Sequence, residues 1–124
     1  MGSFSGILGL SFPSLAVYDE KPLFDNMLGL GLLEQPVFSF YLTRLPEGGS
    51  RVDFGVVPSE LYEGDLNCHP VMEEYYWTIE IDDILFNGVS LGYCGDSPCR
   101  GIVDTGTSLL TVPSDKLDGL LDKI

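Results

Sequence analysis

Apolar and polar positions alternate through the middle of this chain and spread to wider spacing near its end. "FSGILGLSF" at 4–12 is a dense apolar run stopped by Pro13 and predicts a short buried strand. In "KPLFDNMLGLGLL" at 21–33, Leu23, Phe24, Met27, Leu28 and Leu30 fall at helical spacing, with Pro22 suited to the first turn. Gly29 and Gly31 weaken that helix. "VFSFYLTR" and "RVDFGVV" are β-rich runs on either side of "LPEGGS" and predict a hairpin. "GDLNCHPV", "YYWTIEID" and "DILFNGVSL" follow as further strands, the last carrying Asn87-Gly88, the strongest turn signal in the chain. "CRGIVDTGTSLLTVP" at 99–113 predicts strand, tight loop, strand. "SDKLDGLLDKI" then predicts a helix, with Ser114 as candidate N-cap and Leu117, Leu120, Leu121 and Ile124 along one face. The whole predicts an all-β fold with two short helices.

Composition narrows the function classes. The 124 residues are 44% apolar, which argues for a folded domain and against disorder. Six Lys and Arg against 19 Asp and Glu give −13, a charge that repels nucleic acid and anionic membrane and suits acidic surroundings. The plain alternative is a solvated acidic surface. No apolar run reaches the roughly 18 residues a membrane span needs. "GILGLSFPSLAV" imitates a signal-peptide core but lacks a basic leader and is interrupted by Pro13. His69 is the single histidine and there is no CxxC pair, so a zinc site is not expected.

Cys94 and Cys99 enclose the turn-forming "GDSP", which brings two chains close enough for a disulfide. Such a bridge implies an oxidising compartment, the alternative being two free thiols. Cys68 has no evident partner and reads as a buried, inert thiol.

The chemistry concentrates in "IVDTGTSLLTVP". A carboxylate between apolar strands is costly unless donors hold it charged or keep a proton on it. Gly106 permits a sharp loop. The hydroxyls of Thr105, Thr107 and Ser108, with the loop N–H groups, can donate to Asp104 and lower its pKa. Two readings follow from the residues alone: a turn in which Asp104 caps its own backbone, or a preorganised acid suited to proton transfer with water.

The segments "FSGILGLSFPS", "PLFDNM", "FSFYLTR", "VDFGVVPSELYEGDL", "YYWTIEIDDILFNG" and "YCGDSPCRGIVDTGTS" occur in the order and approximate spacing of the pepsin-like aspartic proteases, and the chain resembles that family from Phe4 onward. The resemblance implies a bilobal, largely β enzyme without metal or cofactor, in which each lobe supplies one aspartate. The pair shares a proton, activates water and hydrolyses a peptide bond. Carried over by position, Asp104 resembles the second catalytic aspartate. Thr105 resembles the residue whose hydroxyl grips the opposing lobe, and Ser108 supports the same loop. Gly106 and Thr107 resemble residues that bond substrate backbone, and Ile102 a cleft-lining position. Tyr76 resembles a primed-side pocket residue, Phe4 and Ile7 the walls of an unprimed pocket for a hydrophobic side chain. Cys94 and Cys99 match the family's small second-lobe disulfide. Ser5 stands where the family usually has Asp, and Pro58 where an acidic residue is common.

No second D-T-G or D-S-G occurs in the 124 residues. Ile7-Leu8-Gly9 resembles the apolar-apolar-Gly segment that completes the first lobe's aspartate loop. The resemblance therefore implies the rear of the N-terminal lobe and the interlobe hairpin at 1–57, and the front of the C-terminal lobe at 58–124. On this expectation the chain is the middle third of a longer protease and is inactive alone. Its partners are the remainder of the same protease and a polypeptide with hydrophobic side chains at the cleaved bond. Its place is the secretory pathway, outside the cell or in an acidic vacuolar or lysosomal compartment. Three rivals are kept: a pseudoprotease or binding relic of the same fold, an enzyme assembled from two copies, and a structural acidic domain with Asp104 as a turn cap.

Overall fold

The run after Pro22 forms helix α1, Leu23–Gly29, shorter than the pattern at 21–33 predicts. A computed structural model describes residues 5–44, 49–95 and 97–123 and shows why α1 stops. Gly31 adopts φ +67° and donates to the Leu28 carbonyl, while Leu32 N–H donates to Met27, at 3.0 and 3.1 Å. This paired closure satisfies the last carbonyls and needs a residue at ease in the left-handed region. Gly31 is thus the helix stop rather than a weak interior position.

The predicted hairpin is present as β1, Phe38–Tyr41, against β2, Arg51–Phe54, antiparallel with Phe38 opposite Phe54 and Phe40 opposite Val52. Phe24 of α1 meets Phe38 edge-on at 5.0 Å and lies 6.3 Å from Phe54, so helix and hairpin share an aromatic cluster. Full burial of one such ring contributes about 1.5–3 kcal/mol, and these half-buried rings contribute less. The chain leaves β2 through buried Gly55, φ +78°, whose N–H donates to Val37 at 2.7 Å. A Cβ there would stand 3.2 Å from the Glu34 nitrogen, so glycine lets the segment after α1 lie against the hairpin.

The chain divides into two compact units, Met1–Asn67 and Cys68–Ile124. In the second, β3 (Glu73–Glu74), β4 (Trp77–Ile81) and β7 (Cys99–Ile102) form an antiparallel sheet in the order β3-β4-β7. Thr78 on the central strand is buried. Strands β5 (Leu85–Phe86) and β6 (Val89–Ser90) form a separate hairpin, closed by Asn87 at φ +50° and Gly88 at φ +79°. Those two left-handed residues give the turn whose twist matches the strands. Cys94 and Cys99 form a disulfide, Cα atoms 4.9 Å apart, at the mouth of β7. Helix α2, Ser114–Leu121, follows. The architecture is strands with two short helices, as the pattern predicts.

Several local expectations fail. Residues 5–12 form no strand, and Ile7 is 90% exposed; an apolar run becomes a strand only where a neighbour takes its backbone groups, and no ladder reaches it among the described residues. "GDLNCHPV" forms no strand either, broken by Gly64 at φ +77° and by Pro70, which has no N–H to donate. Residues 109–113 after the Asp104 loop are likewise not a strand. Pro113, not Ser114, takes the N-cap position of α2, without a side-chain capping bond. Leu117 and Leu121 of its apolar face are exposed, Leu120 is half-buried, and Ile124 lies outside the described residues. Cys68 is a free, exposed thiol, not a buried one. Among the described residues, no helix is long and apolar enough to cross a membrane.

Candidate active site

Strand β7 aims the D-T-G-T-S loop. It pairs with β4 in the register Ile81–Cys99, Glu80–Arg100, Ile79–Gly101 and Thr78–Ile102. One further bond, from Val103 N–H to the Trp77 carbonyl at 3.0 Å, extends the pairing past Ile102. Asp104 is therefore the first residue released from the sheet. The disulfide pins the other end of the strand at Cys99. Tyr93, next to Cys94, donates its hydroxyl to the Lys116 carbonyl of α2 at 3.2 Å, which ties the disulfide loop to the helix.

The carboxylate is held within its own loop. Gly106 N–H donates to Asp104 Oδ1 at 2.8 Å, and Thr107 Oγ1 donates to Oδ2 at 2.5 Å. Each oxygen has one fixed donor. A Cβ on Gly106 would sit 3.1 Å from Oδ1, so glycine allows the backbone its close approach. The Thr107 hydroxyl, and after it the Gly106 N–H, hold the Asp104 carboxyl below the ordinary carboxylate range, against a small opposing effect of desolvation. Both donors favour the charged form of the carboxyl.

The other expected site residues are placed as follows. Ile102 ends β7 and is 55% exposed; Thr105, Gly106, Thr107 and Ser108 are exposed in the loop. The Thr105 and Ser108 hydroxyls do not bond the carboxylate among the described residues. Tyr76 lies in the two-residue turn between β3 and β4, its ring edge-on to Tyr75 at 5.0 Å. It directly precedes Trp77, whose carbonyl anchors Val103, so backbone pairing brings Tyr76 to the same end of the sheet as Asp104. Ile7 belongs to the other unit, and Phe4 lies outside the described residues. Leu109 and Leu110, immediately after the loop, are 80% and 83% exposed. Among the described residues, no group of three or more His, Cys, Asp and Glu is arranged to hold a metal ion.

Sequence reading missed the Trp77 carbonyl and the Tyr93 hydroxyl, which position the loop from outside it. Neither has a local signature. A backbone acceptor is invisible in sequence, and Tyr93 reaches a residue 23 positions away.

A family profile described as eukaryotic aspartyl protease matches residues 1–124. The chain is 48% identical over 117 residues to Pepsin II-2/3 of Oryctolagus cuniculus, covering 94% of this chain and 30% of that protein. It is 44% identical over 122 residues to Gastricsin of Mus musculus, covering 98% and 31%. With Cathepsin E of Oryctolagus cuniculus the identity is 47% over 116 residues, covering 92% and 29%. The chain thus spans under a third of the length of these relatives. A match along the entire chain, which includes a D-T-G-T-S loop that holds its carboxylate by backbone and hydroxyl donors, places this protein in the eukaryotic aspartyl protease family.

Proposed function

We propose that the chain supplies Asp104 as one of two carboxylates of an aspartic endopeptidase. The single observation that carries this is the Asp104 carboxylate, fixed at both oxygens where β7 leaves the sheet, in a chain that matches the family throughout. Alone, the Gly106 and Thr107 donors favour an ionised Asp104. A second carboxylate beside it would oppose that, since like charges in contact do not both ionise, and the pair would share one proton. The ionised member takes a proton from water as the water oxygen attacks the scissile amide carbon. The protonated member donates to the developing oxyanion, and the amine then leaves with a proton.

In this reading Gly106 and Thr107 also bond the substrate backbone, Ile102 and Tyr76 line the cleft, and Phe4 and Ile7 form a pocket for a hydrophobic side chain. Thr105 grips the opposing lobe and Ser108 supports the loop. Residues 1–57 are the rear of the N-terminal lobe and 58–124 the front of the C-terminal lobe. The remaining parts come from the same protease, and the 124-residue chain alone is inactive. The disulfide and the names of the relatives support a secretory or acidic compartment.

The test replaces the aligned 122-residue segment of mouse Gastricsin with this chain and follows hydrolysis of an unfolded protein at acidic pH. The expected result is turnover that Asp104→Asn abolishes while the thermal transition of the chimera is retained. A folded chimera whose hydrolysis survives Asp104→Asn overturns the assignment. For the 124-residue chain by itself, no Asp104-dependent hydrolysis is expected, and finding any would overturn its inactivity.

A further inference from the structure

Gly101 sits inside β7, and its φ is not in the left-handed region, so the turn chemistry that usually calls for glycine is not the reason for it. Glycine in a strand interior weakens it and commonly marks a close approach. Here the approaching group is Ile81. A Cβ on Gly101 would fall well inside van der Waals contact with Ile81 Cδ1 and 3.2 Å from Ile81 Cγ1. In the β4–β7 register Ile79 is directly opposite Gly101 and Ile81 is two residues along, on the same face of the sheet. The Ile81 side chain therefore lies diagonally across the strand and fills the space that a side chain on Gly101 would take.

We propose that Ile81 is a positioning residue for Asp104, acting as a clamp on Gly101 that fixes where β7 releases the catalytic loop. The proposal rests on the reading of Asp104 as a catalytic carboxylate. The geometry runs in one line. Ile81 covers Gly101; two residues later Val103 makes the last bond to β4, through the Trp77 carbonyl; the next residue is Asp104. The donors on the carboxylate come from Gly106 and Thr107, so the clamp does not set the charge of Asp104. It sets the position from which that charge is presented. A methyl group on Gly101 would push β7 from β4 near its end, where the single Val103–Trp77 bond has the least support. Overpacking of this kind is enough to raise opening at the end of the strand roughly tenfold.

The first measurement is amide hydrogen exchange on the 124-residue chain. Gly101→Ala is expected to speed exchange at Val103 about tenfold relative to the β5–β6 hairpin amides, which lie outside the β4–β7 pair. Ile81→Val in the same background removes Cδ1 and is expected to restore Val103 to within about twofold. If Gly101→Ala prevents folding, Ile81→Ala on the wild-type strand tests the clamp from the other side, since loss of cover over Gly101 should also speed Val103 exchange. The proposal is overturned if Val103 exchange is unmoved by either single variant, or if Ile81→Val fails to rescue Gly101→Ala. The second measurement uses the Gastricsin segment chimera. There Gly101→Ala should lower kcat several-fold with KM held within about twofold, and Ile81→Val should recover kcat, a split that a general loss of stability would not produce. A chimera whose activity does not need Asp104 sinks the functional reading, while Val103 exchange still judges the clamp on its own.

Discussion

Phe24, Phe38 and Phe54 in the first unit lie with ring centroids 5.0–6.5 Å apart, whereas Ile102, Val103, Leu109 and Leu110 around Asp104 face solvent. Both segments are strongly apolar in sequence. The hairpin and α1 carry their packing partners within a stretch of 32 residues, Leu23–Phe54, so local chain closure is enough to bury the rings. The Asp104 loop has apolar flanks without such partners nearby in sequence. Under the protease reading Ile102 lines the cleft.

The largest effect should come from breaking the self-contained side of this contrast. Phe38→Ala is expected to cost about 2 kcal/mol, below the range for a fully buried ring because Phe38 is only half-buried, and Leu110→Ala less than about 0.5 kcal/mol. Urea denaturation of the two variants checks the pair, and equal losses would erase the distinction. The next effect concerns the covalent support of the second unit. Reduction of Cys94–Cys99, or Cys94→Ser, closes no loop in the unfolded chain and is expected to lower stability by about 2 kcal/mol. Exchange should rise at β7 and α2 amides and stay constant in the β1–β2 hairpin.

The smallest and most specific effect is electrostatic. Thr107→Val removes the leading cause of the lowered Asp104 pKa, which should move up toward the ordinary carboxylate value in a ¹³C carboxyl titration. The folded-state pKa lies below the unfolded one. The stabilisation is therefore fully present above the ordinary carboxylate pKa and is lost as pH falls through the lowered, folded-state pKa. In Thr107→Val that loss should move to higher pH. An unmoved titration would mean that the Gly106 N–H alone sets the charge.

What could be read in advance follows the same division. The β1–β2 hairpin, the Asn87-Gly88 turn, the Cys94–Cys99 bridge and both helices rest on short-range signals: alternation, left-handed residues, a turn between cysteines, helical spacing. The D-T-G-T-S loop was legible for the same reason, because Gly106 and Thr107 sit within three residues of the group they hold. The strands expected at 4–12 and 109–113 needed a pairing edge that local sequence does not encode, whereas Gly64 and Pro70 break the one expected at 64–71. Apolar character there described affinity for a partner, not conformation. Ile81 over Gly101 was equally hidden, since size matching across strands shows only once the register is known.

The shortness of the Asp104 cradle has a consequence for the order in which the loop forms. With both donors supplied by the same turn, the charge on Asp104 is set as soon as this one loop closes, whereas its direction waits for β7 to pair with β4. Charge and direction of this carboxyl thus arise in separate steps, one local to four residues and one that depends on strand pairing.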